Sequence, residues 1–295
     1  MSTITIGTAP DSWGVWFPTD PQQLPAEQFL REVVEAGYGW IELGPYGYLP
    51  KDSAELADQL DAHELKVLAG TVFEHLHRPN SWENVWAQVT DVAAATQAVG
   101  GKHIVVIPDT WRHHKTGEEL EDRELTGEQW AQLADGMNEL GRRILDEYGL
   151  AVQFHPHADS HVGYQPEIER FLDATDPRWV NLCLDTGHIA YYGGDCLELI
   201  KNFPDRIGYL HLKQVDPVLA ARALAEDISF SKAVRMDIMV EPPSGVPNLA
   251  EVIEAASESL PHPVFAIVEQ DMYPCPPEKP LPIARRTYTY LSSCL

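Results

Sequence analysis

Val180-Asn181-Leu182-Cys183-Leu184-Asp185-Thr186-Gly187-His188 decides the reading of this chain. A short run rich in Val and Leu is what a strand covered on both faces requires, and this one ends on a carboxylate, a turn and an imidazole. The same grammar recurs on either side of it. Phe154-His155-Pro156-His157 closes a strand candidate at 151–155, Leu210-His211-Leu212-Lys213 one at 207–211, and Val268-Glu269-Gln270-Asp271 one at 264–269. Further out lie candidates at 3–8, 40–43, 66–72 and 103–107, so about eight short β-rich runs are spread along the chain.

Helical patterns fill the gaps at 26–36, 53–63, 81–99, 127–148, 165–173, 196–202 and 248–260, with 282–295 as the closing helix. Ser53 and Asn248 are N-cap candidates, and Gly37, Gly100 and Gly149 stand just past periodic segments as C-caps. Strand and helix alternating from end to end predict an α/β fold with a parallel sheet: a single (β/α)8 TIM barrel, with residues 1–295 as one domain. The rival is an open doubly wound sheet, but no G-x-G-x-x-G or G-x-x-x-x-G-K-[ST] follows any strand. Residues 111–124 and 226–247 exceed a minimal barrel. Both would extend loops on the face where the strands end, and they are expected to wall the active site.

The 21 Lys and Arg stand against 45 Asp and Glu, a net charge of −24 with His neutral. That field repels phosphate backbones and anionic membrane surfaces, which argues against nucleic acid and membrane partners while leaving a small neutral substrate unaffected. Cys183, Cys196, Cys275 and Cys294 form neither a C-x-x-C pair nor a zinc-ribbon spacing. No basic segment followed by an apolar run opens the chain, and no uncharged apolar stretch approaches about 18 residues. The expectation is a cytoplasmic protein with free thiols. Its oligomeric state stays open, a homo-oligomer included.

In a barrel of this kind reactive side chains stand at the carboxyl ends of strands. Period-two alternation puts His155 with Gln153, Asp185 with Cys183 and Asn181, His211 with Tyr209 and Lys213, and Glu269 with Ile267. One interior can then hold His155, Asp185, His211 and Glu269 together. Such a mixture suits Mn²⁺, Co²⁺, Fe²⁺ or Zn²⁺ better than Ca²⁺, because imidazole is a borderline ligand. Taken singly, Asp185 reads equally as a helix cap, His211 as a hydrogen-bonded core residue and Glu269 as an ion-pair partner. Trp13, Trp16 and Phe17 follow the first strand, where they read either as an aromatic wall for the C–H face of a ring substrate or as core. Glu42 and Glu74 also stand near strand ends.

The run Gly7-Thr8-Ala9-Pro10-Asp11-Ser12-Trp13-Gly14-Val15-Trp16 and the His155-Pro156-His157 pair resemble the inosose dehydratase family, of the xylose isomerase-like barrels. So do Leu184-Asp185-Thr186-Gly187-His188 with Tyr191 and Gly193-Gly194-Asp195, and Leu210-His211-Leu212-Lys213. The likeness spans nearly the whole chain. It implies that Asp185, His211 and Glu269 bind a divalent metal, Mn²⁺ or Co²⁺ before Zn²⁺ or Fe²⁺, and that His188 contacts substrate. Where the superfamily usually carries a Glu, this chain has His155, with His157 as an alternative ligand. Where relatives often carry an acid after the strand-seven His, it has Gln214.

The implied reaction removes water from 2-keto-myo-inositol, a small polyhydroxylated ketone, to give a trihydroxycyclohexane-dione. A cation on the ketone oxygen stabilises the enolate left when the neighbouring proton is taken, and an acid assists the departing hydroxyl. His188, His157 and Lys213 lead the acid and base candidates, with Asp271 and Glu74 behind them, and Trp13, Trp16 and Glu74 are expected to line the substrate. An epimerase or isomerase shares the first half of this chemistry, so that alternative stands, as does a barrel that binds metal without turnover.

Overall fold

Apolar runs that cannot face water on either side must be covered on both, and a closed barrel ringed by helices does so for every strand. The computed structural model describes residues 3–114 and 116–295 and shows that arrangement. Its strands are β1 (Ile4–Thr8), β2 (Trp40–Glu42), β3 (Lys66–Glu74), β4 (His103–Pro108), β5 (Ala151–Phe154), β6 (Val180–Asp185), β7 (Ile207–Leu212) and β8 (Val264–Val268). They run parallel in sequence order, and β8 pairs back onto β1 with Gly7 opposite Ile267.

The helices are α1 (Ala26–Ala36), α2 (Ser53–Ala62), α3 (Trp82–Ala98), α4 (Gly127–Tyr148), α5 (Gln165–Ala174), α6 (Thr186–Tyr191), α7 (Cys196–Asn202), α8 (Pro217–Ala225), α9 (Phe230–Val234), α10 (Leu249–Ser259) and α11 (Pro280–Ser292). Gly37 and Gly149 cap α1 and α4 in the left-handed conformation, and Asn248 caps α10 through its side chain. The cap of α2 is a correction. Asp52, not Ser53, accepts the amides of Ala54 and Glu55, because an Asp one residue earlier already supplies that acceptor. Three helices were not foreseen. α6 has 6 residues, α9 has 5, and α8 reads PVLAARALA with Arg222 its lone charge, so none displays an apolar stripe against a polar face. None of the described helices is long and apolar enough to cross a membrane.

Two apolar layers position the site. Leu68, Val105, Cys183, Tyr209 and Ile267 pack together within the ring of strands. Ala158, Tyr191, Phe230, Val234, Ile238 and Met239 form a second cluster drawn largely from the 226–247 insertion. The two insertions are tied by Arg112, which donates to the backbone and side chain of Asp227. Within the first insertion, Lys115 lies outside the described residues, as do residues 1 and 2.

Candidate active site

Pleating carries the site: every second residue of a strand points the same way, so strand ends deliver side chains to one mouth. Asp185 ends β6 and is the register partner of His211 in β7, while His155 and Glu269 directly follow β5 and β8. One donor atom from each of His155, Asp185, His211 and Glu269 lies within 4.8 Å of the others, and all four residues are buried. The four residues singled out in the sequence therefore converge.

Each carboxylate oxygen of Asp185 has its own task. Oδ1 accepts the His188 amide at 2.8 Å and caps α6. Oδ2 faces His155 Nε2 at 3.2 Å and His211 Nδ1 at 3.6 Å. The capping role and the cluster role thus coexist in one side chain. His211 Nδ1 also lies 2.9 Å from Glu269 Oε2, and its Nε2 is 2.9 Å from Glu42 Oε1. Glu42, at the end of β2, fixes the ring and leaves Nδ1 to the cluster. Its other oxygen accepts Thr71 Oγ1 at 3.3 Å.

This donor set fits a divalent cation. His211 Nδ1 is buried between Glu269 Oε2 at 2.9 Å and Asp185 Oδ2 at 3.6 Å without a well-aligned hydrogen bond to either, and two carboxylates balance a double positive charge. Tetrahedral ligands bound at about 2.0–2.2 Å stand about 3.4 Å from one another. The separations of 2.9, 3.2 and 3.6 Å bracket that spacing.

Electrostatics concentrate on Lys213, whose side chain is 2% exposed. Its Nζ lies 2.8 Å from Glu269, 3.0 Å from Asp271, 3.3 Å from Asp185 and 3.9 Å from Asp11. Burial opposes its charge, but Asp185, Asp271, Glu269 and Asp11 outweigh burial and hold its pKa well above the ordinary lysine value. Among these carboxylates Lys213 is a charged donor. Burial likewise opposes ionisation of Asp185, yet Lys213 and His188 hold its pKa well below the usual carboxylate range. Asp11 goes the other way: burial first, then the negative charges of Glu269 and Asp271, push its carboxyl well up. Room for Lys213 depends on Gly187, where a Cβ would come 2.6 Å from Lys213 Cβ.

His157 and His188 lie against each other with ring centroids 3.9 Å apart and their planes tilted by 41°. His157 Nδ1 donates to the Ala158 carbonyl at 2.7 Å, so the bare nitrogen of the neutral ring is Nε2. Burial pushes its pKa down to about 3, with His155 and Lys213 adding to the effect. His188 Nδ1 accepts the Ala158 amide at 3.2 Å, and its Nε2 turns to Lys213 Nζ at 3.4 Å. Phe230 covers both rings at 5.2 and 4.9 Å.

Trp13 is a correction. It is 1% exposed, packs edge-on against Phe29 at 5.2 Å and donates Nε1 to Glu32 at 3.0 Å. It belongs to the core between β1 and α1, where a partner on the helix satisfies its one polar atom. Trp16 is half-buried and stacks on Tyr273 at 5.2 Å. Glu74 is fully buried, accepts the Leu76 amide at 2.5 Å, and has its pKa raised to about 8, chiefly by burial. Asp11 and Phe230 were missed as site residues. Asp11 sits three residues past β1 in the 3-10 turn Pro10–Trp13, a position that strand-end reading reaches, whereas Phe230 lies inside an insertion with no periodic signal.

The xylose isomerase-like TIM barrel family model matches residues 30–286. Inosose dehydratase of Lacticaseibacillus casei is 29% identical, covering 99% of this chain and 98% of that protein. Inosose dehydratase of Bacillus velezensis is 30% identical over 81% of this chain and 82% of its own length. Among solved structures, IolI protein with a bound zinc atom superposes with a TM-score of 0.73 over 98% of both chains at 17% identity, a likeness of fold.

Proposed function

The chain belongs to the inosose dehydratase family of xylose isomerase-like TIM barrels and is an enzyme of the hydro-lyase kind, and we propose that it dehydrates 2-keto-myo-inositol to a trihydroxycyclohexane-dione. The observation that carries the proposal is the convergence of His155, Asp185, His211 and Glu269 beside His157, His188 and Lys213. Those first four residues would hold one divalent cation, with Mn²⁺ or Co²⁺ the first choice and Zn²⁺ or Fe²⁺ compatible with the same donors. When bound, it supplies a Lewis acid for the ketone oxygen.

The protein's own groups divide the proton transfers. His157 is half-buried and presents a bare Nε2 to take the proton from the carbon next to the ketone; burial makes it a weak base, so the transfer depends on the acidity that a bound cation would lend that C–H. With Nδ1 accepting from Ala158, neutral His188 carries its proton on Nε2 and hydrogen-bonds the departing hydroxyl, while the Lys213 ammonium, 3.4 Å from that nitrogen, supplies the proton with which it leaves as water. Lys213 has three N–H donors, two of them engaged by Glu269 and Asp271. The third has Asp185 Oδ2 at 3.3 Å and His188 Nε2 at 3.4 Å within reach, and would turn from them to a substrate oxygen that gains charge in the transition state. Trp16 would cover the C–H face of the ring. Free thiols at Cys183, Cys196, Cys275 and Cys294 suit a reduced cytoplasm.

The test is an incubation of metal-loaded protein with 2-keto-myo-inositol, following the dione by absorbance, beside a panel of ketohexoses. Dione formed from the inosose with the hexoses untouched supports the proposal; epimerised hexoses and no dione would refute it.

A further inference from the structure

We propose that His77, Glu121 and His161 form a second divalent-cation site, of zinc-like ligand preference, that fastens the 111–124 insertion to the rim of the barrel. The three donors share no residue with the cluster at the strand ends, and they too lie within 4.8 Å of one another. They come from three consecutive βα connections: His77 follows β3, Glu121 lies in the insertion after β4, and His161 follows β5.

Hydrogen bonding at His161 points to a cation. Its Nδ1 lies 2.8 Å from the Arg123 carbonyl, which only accepts, so Nδ1 carries the proton. In the neutral ring Nε2 is then a lone pair, and it faces Glu121 Oε1, a second acceptor, at 3.2 Å. His77 Nε2 aims at the same oxygen, also from 3.2 Å, with the two rings 4.5 Å apart. A proton bridges two of these atoms, whereas a metal ion takes all three. Two imidazoles and one carboxylate, with water as a fourth ligand, are a common zinc set.

The surroundings support ligands more than they supply a rival. His77 and His161 are 1% and 3% exposed, and Glu121 is partly open to solvent, which leaves a side for water. Arg78 Nη2 donates at 2.6 Å to the same Glu121 Oε1 that both histidines face, and Nη1 donates to Asp109 at 2.8 Å, so its charge is shared with a second carboxylate and it orients the first, as partners of ligating carboxylates do. The Arg123 carbonyl does the same for His161.

The experiment measures zinc per chain after saturation and desalting in the wild type, His77→Gln/His161→Gln and Asp185→Asn/Glu269→Gln. One equivalent should vanish in the first double variant and persist in the second. Zinc removal should also speed tryptic cleavage after Arg123 in both the wild type and the Asp185→Asn/Glu269→Gln protein. If His77→Gln/His161→Gln fails to fold, Glu121→Gln replaces it, with the same lost equivalent expected. Wild-type zinc content in the rim variant would overturn the site, and so would loss of all zinc in Asp185→Asn/Glu269→Gln, since every ion would then belong to the strand-end cluster.

Discussion

Glu42 touches no substrate in this account, yet its replacement should be felt at the metal. Its carboxylate lies 2.9 Å from His211 Nε2 and fixes which nitrogen is offered to the cluster. Partners of metal-bound histidines raise ligand basicity, and their loss typically weakens binding by about 10–100-fold, or about 1.4–2.7 kcal/mol at 1.36 kcal/mol per tenfold. Glu42→Gln keeps an acceptor for His211 and loses the charge, so the lower end is expected. Glu42→Ala also leaves the buried Nε2–H unpaired, which places it near the upper end. Competition with a chromophoric chelator at fixed pH reads the affinity, and thermal unfolding checks that the fold survives. Wild-type affinity in both variants would refute the idea that Glu42 orients a metal ligand.

Three further outcomes follow from the geometry. Gly187→Ala drives a Cβ to 2.6 Å from Lys213 Cβ, and overpacking of this kind costs about 1–3 kcal/mol; chemical denaturation should show that loss, with kcat falling further as Lys213 shifts. Trp13→Phe removes the bond to Glu32 and should lower stability by about 1–3 kcal/mol while leaving KM for the inosose unchanged, since Trp13 lies in the core. His103 has its pKa lowered from 6.5 to about 4, first by burial and then by His262. The unfolded chain therefore binds this proton more tightly, and the associated stability is present above pH 6.5 and lost as pH falls towards 4. His103→Gln should flatten the stability profile in that window, read by urea midpoints at each pH.

Strands were legible because a run covered on both faces must be apolar throughout, and all eight fall within two residues of their expected ends. The four convergent donors were legible for a related reason: alternation fixes which strand-end residues share a mouth. Trp13 shows where that reasoning stops. An aromatic just past a strand looks the same whether it lines a pocket or fills a core, and its place was decided by Glu32, a partner on α1 that local pattern does not reveal. Phe230 and the carboxylate cage around Lys213 were hidden likewise, since they are assembled from the first, sixth, seventh and eighth βα units.

Anomalous diffraction from crystals soaked in Mn²⁺ would show whether the strand-end residues share one cation. One strong peak is predicted within about 2.0–2.3 Å of Asp185 Oδ2, His211 Nδ1 and Glu269 Oε2, and absent from the Asp185→Ala and Glu269→Ala proteins. No peak among those residues at saturating Mn²⁺, or a peak undiminished in both variants, would contradict a shared cation.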